Sequence, residues 1–368
     1  IPSRYKFTSS SGVYAAITGG MVWQSGSTLA TNAVTNVSLP FDFNFNGSDY
    51  NAINISNNGF ITFGATAPGT TNYAALSIST AFSGAVVGYG FNLVNSSVSG
   101  TSPEIRYEQV GSEFIIQFQD LGRTGITGDR MNFQIRLEQT TNIIRIVYGT
   151  WAATTTTTSD TNFGQVGIRG ANNLDYSGRT VNANAPYNTW ASSGGSQASL
   201  NTNTGTMRYN NAFLPPSGLT YTWTVNNTYA ALPYIQNFDL SPWQSRNSRQ
   251  DSPDATNISI SPQLGNPAWK RQDETTVNSL WSSTTGALAA LTGAQGTGVA
   301  RFHSYDATSG AKGYLDVFLD FGTTGNKILS FDYQNTNGTD NLQIALSTDG
   351  GLTFSNVGSP YGISTTWA

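Results

Sequence analysis

Apolar and polar positions alternate along most of the chain with a period of two residues, the repeat of a pleated strand. The stretch Leu39 to Tyr50, LPFDFNFNGSDY, sets Phe41, Phe43 and Phe45 on one face and Asp42 and Asn44 on the other, and Asn46-Gly47 then supplies a turn. Ala52 to Phe63 repeats the pattern with Ile53 and Ile55, the turn Asn57-Asn58-Gly59, and Phe60 to Phe63. Further strands are expected at Ala85 to Phe91, Glu104 to Gln109, Glu113 to Gln119, Asn132 to Gln139, Ile143 to Tyr148, Gly164 to Arg169 and Leu219 to Thr224. Each is short, rich in β-branched and aromatic residues, and bounded by Gly, Asn, Ser or Thr. Without helical stretches between them, strands at this spacing predict an all-β chain of sandwich or jelly-roll type.

The pattern breaks near Val225 to Pro233. Pro215-Pro216-Ser217-Gly218 introduces a last strand, GLTYTWT, and Asn226-Asn227-Thr228 follows as a polar hinge. This divides the chain into a large β-sandwich at residues 1–224, a linker at 225–231 and a second domain at 232–368. Strands of the second domain are expected at Gly298 to His303, Leu315 to Phe321, Lys327 to Gln334 and Asn341 to Ser347, with a return around Thr353 to Val357. Thr365-Thr366-Trp367 reads as the opening of one more strand, so this domain is expected to be truncated at its C-terminal end. Ile1 in place of Met, with no basic-then-apolar leader, reads as a mature secreted form. The tract Thr154 to Ser159, five threonines and a serine, reads as an exposed loop between strands.

Composition narrows the functional classes. Charged residues make up 10% of the 368 positions, against about 25% in an ordinary soluble domain. Ser, Thr and Asn therefore solvate the surface. Lys and Arg total 17 and Asp and Glu 21, a formal net charge of −4, too few cations for a polyanion binder that works by counterion release. With no cysteine and one histidine, zinc sites of Cys and His, disulfide frameworks and thiol catalysis lack their ligands. The 8 Trp, 17 Tyr and 19 Phe supply the apolar area that disordered chains lack. No run of 18 apolar residues occurs, so no membrane-spanning helix is expected.

Candidate chemistry is sparse. His303 sits in VARFHSYDA on an alternating strand, and no G-x-S-x-G elbow is present, so Ser-His-Asp catalysis is not expected. A glycosidase needs two carboxylates across a cleft. Glu104, Glu108, Glu113, Asp120, Glu138, Asp175, Asp306, Asp316 and Asp340 stand at strand ends, but as a group they read as solvated strand or turn residues, and no catalytic residue is assigned. Arg123, Asp129 and Arg130 are expected to pair across a loop, with a modest gain if the pair is exposed. Ser347 to Phe354, STDGGLTF, matches the Asp-box pattern, a structural clasp in which Asp349 accepts backbone N–H groups, Gly350 and Gly351 allow positive φ, and Phe354 anchors the hairpin in the core. Calcium requires only oxygen ligands, and Asp239, Asn237, Asp306 and Asp340 are its candidate ligands; no other cofactor is expected. Trp23, Trp151, Trp190, Trp243, Trp269 and Trp281 lie in or beside loop-like segments, where exposed rings would form a platform for pyranose faces; the ordinary role of such rings is to fill the core.

Two segments carry a family resemblance. NISNNGFITFG (Asn54 to Gly64), followed by VVGYGFNL, EIRYEQ, FIIQFQD, NFQIRLEQTTNIIRIVYG and VGIRG, resembles the N-terminal module of secreted surface proteins of the Bacteroidota, often adhesin-like and often cargo of the type IX secretion system. LPYIQNFD, WKRQDE, ARFHSYD and LSFDYQNTNGTDNLQIALSTDGGLTF resemble a MAM-like or cleaved-adhesin jelly roll. That resemblance implies a calcium site at Asp239.

Together these readings predict a non-enzymatic protein of the extracellular or outer cell surface, of adhesin or surface-structural type, acting through loops and sheet edges. Its expected partners are a surface glycan or protein ligand, or the type IX and outer-membrane surface machinery, and not nucleic acid. The alternative is a carbohydrate-binding accessory region of a secreted hydrolase.

Overall fold

The computed structural model describes residues 5–26, 29, 32–80, 82–155, 163–171, 173, 175–181, 188–195, 206–225, 229–238, 257–261, 269–272, 293–296, 298–302, 309–310, 312–335, 340–348, 351 and 353–368. The chain is all-β, with antiparallel sheets, and forms two compact units, Ile1–Val225 and Asn226–Ala368.

The first unit contains β1 (Tyr5–Ser11), β2 (Met21–Ser25), β3 (Val34–Phe45), β4 (Ser48–Ser56), β5 (Phe60–Phe63), β6 (Gly84–Gly90), β7 (Leu93–Asn95), β8 (Glu104–Val110), β9 (Glu113–Arg123), β10 (Met131–Glu138), β11 (Ile144–Tyr148), β12 (Gln165–Arg169), β13 (Tyr176–Thr180), β14 (Gly194–Gly195) and β15 (Leu219–Val225). One sheet has the order β1-β15-β11-β10-β9-β8-β2, with β7 paired to β9; the other has the order β14-β13-β12-β6-β5-β4-β3. The first and last strands of the unit are neighbours, with Tyr5 opposite Val225.

Alternation drives the assembly. Along β3 the even-spaced residues Val37, Leu39, Phe41, Phe43 and Phe45 are buried while their neighbours face solvent. They meet the inward residues of the other sheet, including Ile116, Phe118, Phe133, Ile135, Ile146 and Tyr221, in one continuous core. Phe118 and Phe133 stack with centroids 4.6 Å apart, and Phe45 stacks on Phe63 at 4.3 Å. At the centre Tyr89, Tyr148, Trp151, Trp190 and Tyr209 pack mainly edge to face, the arrangement that ring quadrupoles favour. Gly88 lies directly against the facing sheet: a Cβ there would fall 2.4 Å from the Phe133 ring, so any larger residue would have to push that ring aside.

Polar side chains tie the sheets where rings do not. The Tyr148 hydroxyl donates to the Gly88 carbonyl at 3.1 Å, and the Trp223 indole N–H donates to Ser177 Oγ at 3.1 Å. The outer side of β5 and β6 is also closed, by residues 72–82, which bury Ala75, Leu76 and Phe82 against Phe60, Ala85 and Val87. Arg169 secures that cover. Its guanidinium donates to the carbonyls of Ala75 (3.0 Å), Ile78 (2.6 Å) and Thr80 (2.8 Å) and lies over the Phe82 ring. Burial pulls its pKa down to about 10.

The second unit contains β16 (Ile258–Ser261), β17 (Lys270–Gln272), β18 (Val299–Arg301), β19 (Tyr314–Val317), β20 (Leu342–Leu346) and β21 (Ser355–Tyr361), paired β16–β19, β17–β18 and β20–β21. One expectation is corrected here. Lys327 to Gln334 forms no strand, although Tyr333 exchanges both backbone hydrogen bonds with Ala368, and Asn335 with Ser364. Ala230 bridges Leu319 within this unit.

Candidate functional site

The antiparallel order gathers the longer loops of the sandwich at one end. Here β9 ends and β10 begins, β8 and β5 begin, and β6 ends. The turn Asn57-Asn58-Gly59 organises them. Asn58 is fully buried and its side chain behaves as a surrogate backbone: Nδ2 donates to the carbonyls of Thr70 (3.2 Å) and Asn72 (3.1 Å), and Oδ1 accepts from the Leu93 N–H at 3.2 Å. Asn57 Oδ1 accepts from the Ala33 N–H at 2.9 Å. Gly59 has φ of +85°, and a Cβ there would lie 2.1 Å from the Tyr89 carbonyl oxygen. A single turn thus fixes three separate loops.

A second tier is ionic. Arg123 Nε donates to Asp129 Oδ2 at 2.6 Å with both side chains at 0% exposure, and the guanidinium lies 4.5 Å from the centre of the Tyr209 ring. The pair is not exposed: Phe91 and Tyr209 cover it, so it is not the weak surface kind, and breaking it removes the carboxylate from a buried cation. Arg130 pairs instead with Asp120, at 2.6 Å. Asp120 Oδ2 also accepts from the Ser102 N–H at 2.8 Å, and Asn132 Oδ1 accepts from the Asp120 N–H at 3.0 Å. Tyr209 donates to the Ala152 carbonyl, and burial raises its pKa. What this frame presents to solvent is hydroxyl-bearing: Ser97, Ser99, Ser102, Thr124, Thr127 and Thr154 are exposed.

At the opposite end, the hairpin tips between β8 and β9 and between β10 and β11 enclose a depression of about 580 Å³, lined among others by Glu113, Glu138, Thr141 and Arg145. Two carboxylates meet here, Glu113 and Glu138 being cross-strand partners. Both are engaged. Glu113 accepts from Arg136 (3.1 Å) and Arg145 (2.7 Å). Glu138 accepts from the Thr141 hydroxyl and from its N–H, and these bonds lower its pKa. Glu104 is paired with Arg106. Asp175 lies near Arg169 and favours its charged form, and Asp316 stands opposite Ser259 in the β16–β19 pair.

The tryptophans described in the sandwich take the ordinary, core-filling role. Trp151 and Trp190 are 5% and 0% exposed, in the middle of the aromatic core, and Trp23 packs against it. Trp269 is half-buried and donates to the Gly313 carbonyl at 3.1 Å. Trp243, Trp281 and His303 lie outside the described residues. In the Asp-box, Gly351 has φ of +86° and its N–H donates to Ser347 Oγ at 2.7 Å. Asp349 and Gly350 lie outside the described residues, and Phe354 is exposed at 44%, so it does not anchor the hairpin in a core. Of the calcium candidates, Asp239 and Asp306 also lie outside the described residues. Asn237 and Asp340 lie within them, and the Asp340 carbonyl accepts from Asn335 Nδ2 at 2.6 Å. Among the described residues no group of three or more His, Cys, Asp or Glu converges.

Sequence reasoning located the turn Asn57-Asn58-Gly59 but missed its role. The available signal was two adjacent asparagines inside an otherwise apolar stretch, a costly placement unless both amides are satisfied. No helix among the described residues is long and apolar enough to cross a membrane. No curated protein and no solved structure matches the chain. The model of the family described as NIDO related matches residues 4–225, which takes in every strand of the sandwich, and by that match the chain belongs to the NIDO-related family.

Proposed function

We propose that this is a non-enzymatic, secreted cell-surface protein of adhesin or surface-structural type, whose sandwich binds a surface glycan or protein through its loop-rich end. One observation carries the reading: buried polar side chains fix the loops at that end while exposed hydroxyls are left for contact. Membership of the NIDO-related family supports an extracellular type of module. The engagement of Glu104, Glu113, Asp120 and Glu138 by arginines or turn groups favours contact over acid–base turnover. The resemblance of NISNNGFITFG and the motifs after it supports a Bacteroidota surface protein exported as type IX cargo, and we infer a MAM-like second domain with calcium held by Asn237, Asp239, Asp306 and Asp340.

Cell adhesion by the 368-residue chain tests the reading. Binding is expected to depend only weakly on salt, because few charges steer it. Replacing Ser97, Thr124 and Thr127 with bulky residues should abolish it. A steep loss between low and moderate salt, or adhesion indifferent to those substitutions, would contradict the proposal. For the second domain, chelation should lower its unfolding temperature, and added calcium should restore it.

A further inference from the structure

β1 and β2 are consecutive in the chain yet occupy opposite edges of one sheet. Their connection, residues 12–20, therefore has to cross that sheet. Ile116, Phe118, Phe133 and Ile135 point into the core, so Gln117 and Gln134 stand on the outer face. These side chains hold the crossing. Gln134 Nε2 donates to the Ala15 carbonyl at 2.8 Å. Gln117 Oε1 accepts from the Ile17 N–H at 2.9 Å, and its Nε2 donates to the Ile17 carbonyl at 3.2 Å. Arg106 Nη1 donates to the Gly19 carbonyl at 2.9 Å. Every second residue is thus held by its backbone, from β10, then β9, then β8, as an extended peptide is held by a protein that binds it.

β1 and the crossing form one arm. Along residues 5–20, Tyr5 and Ile17 are buried, Phe7 and Tyr14 are half-buried, and the others are exposed. An arm with few buried apolar contacts and many exposed hydrogen bonds is an element that opens locally. The place it fills is demanding. Without the arm, β15 becomes a sheet edge, and Tyr221 and Trp223 lose the Phe7 ring, 5.2 Å from each between centres. The fit is also particular: a Cβ on Gly149 would come within 3.0 Å of the Tyr14 ring, and a Cβ on Gly19 within 2.4 Å of Glu108 Oε1. The arm's own sequence meets those demands, and a second copy carries it. With a net charge of −4 over 368 residues, two copies approach with little repulsion. Gly20, with φ of +73°, turns the chain into β2 and supplies the joint.

We propose that this arm, residues 5–18, exchanges between two copies of the chain. Each copy lays its β1 against the β15 of the other, and its crossing against the other's Gln117 and Gln134. The exchanged pair keeps the contacts of the closed chain and alters only the path through Gly19 and Gly20, so concentration sets the balance. The inference goes beyond the reading as an adhesin and stands independently of it: it gives the module a way to join its own kind.

The chain has no cysteine, so single thiols can be placed and cross-linked cleanly. Thr8 stands opposite Thr222 in the β1–β15 register, and neither is buried. Chains of 368 residues carrying Thr8→Cys and chains carrying Thr222→Cys are mixed at about 1 mM, the effective concentration of a short tether, then diluted and treated with a short bismaleimide. Exchange should yield a covalent dimer in which mass spectrometry finds position 8 joined to position 222. A partner chain carrying Ser99→Cys instead, exposed between β7 and β8, should yield none. Adding Gly20→Val to both chains, a residue that the positive φ of the closed turn disfavours, should raise the yield of the 8–222 dimer about tenfold. A mixture without the 8–222 link, or one that links position 99 equally well, would overturn the proposal. So would a Gly20→Val chain whose unfolding midpoint falls while its dimer yield stays unchanged.

Discussion

The inter-sheet core and the loop-rich end of the sandwich are both dry, yet they are held by different means. In the core, Phe118, Phe133, Trp151, Trp190 and their neighbours share contacts among many rings, so each position is supported from several sides. At the loop end, shape depends on single side chains: Asn58 for two loops, Asn57 for a third, and Asp129 for the placement of Arg123. Loops without strand partners still have to satisfy their backbone groups, and here buried amides and charges do what a neighbouring strand does elsewhere. The exposed tips are thereby freed to vary, while the frame beneath them is not.

Substitutions can separate the two regimes. Trp190→Ala should cost about 3–5 kcal/mol and lower the stability of the whole sandwich in one cooperative transition by urea titration; a cost below about 1 kcal/mol would show that the rings are not the support described. Asp129→Ala should cost a similar amount, about 3–5 kcal/mol, because the buried Arg123 loses its carboxylate. The contrast lies in rescue. Arg123→Met with Asp129→Leu should recover most of that loss, whereas no second change should rescue Trp190→Ala.

Alkaline unfolding reports on both regions. Burial raises the pKa of Tyr14, Tyr148, Tyr209 and Tyr221 above the ordinary 10.0, so the folded chain keeps protons that the unfolded chain releases. Stability should fall as pH rises above 10, by about 1.4 kcal/mol per pH unit for each tyrosine. Arg169, lowered to about 10 from 12.5, acts in the opposite direction, because there the unfolded chain holds the extra proton. Burial also lowers the pKa of Arg301, which acts with Arg169, and four groups outweigh two. A flat profile between pH 10 and 11.5 would contradict this assignment.

Asn58→Ala should cost about 1–3 kcal/mol. Its effect should concentrate in faster hydrogen exchange at Leu93 and in the loop containing Thr70 and Asn72, with the amides of β9 and β10 unchanged. The smallest effect is expected at the half-buried Glu138: Thr141→Val should bring its pKa up towards the ordinary carboxylate value in an NMR titration, with no change in unfolding midpoint.

The alternating strands were legible because one face of each meets the core and the other meets water, as in β3. The strands that pattern reading missed obey other rules. β1, YKFTSSS, reads as a polar loop because it is an edge strand with most of its residues exposed. β13, YSGRT, lacks an apolar run, yet all five of its residues are buried. Trp151 and Trp190 look loop-borne in sequence because the segments carrying them are irregular, but those segments fold their rings inward. The depth of the Arg123–Asp129 pair depends on Phe91 and Tyr209, one of them more than eighty residues distant in the chain.

The adjacency of β1 and β15, with Tyr5 opposite Val225, has a mechanical consequence. The two ends of this module lie at one corner, so the sandwich closes on its own first and last strands and adds little distance between its ends. Pulling those ends apart would open the β1–β15 ladder rung by rung, drawing Tyr5 and then Phe7 off the aromatic rings they pack on. Such an arrangement also suits transplantation, because a host loop needs only two closely spaced ends to accept it.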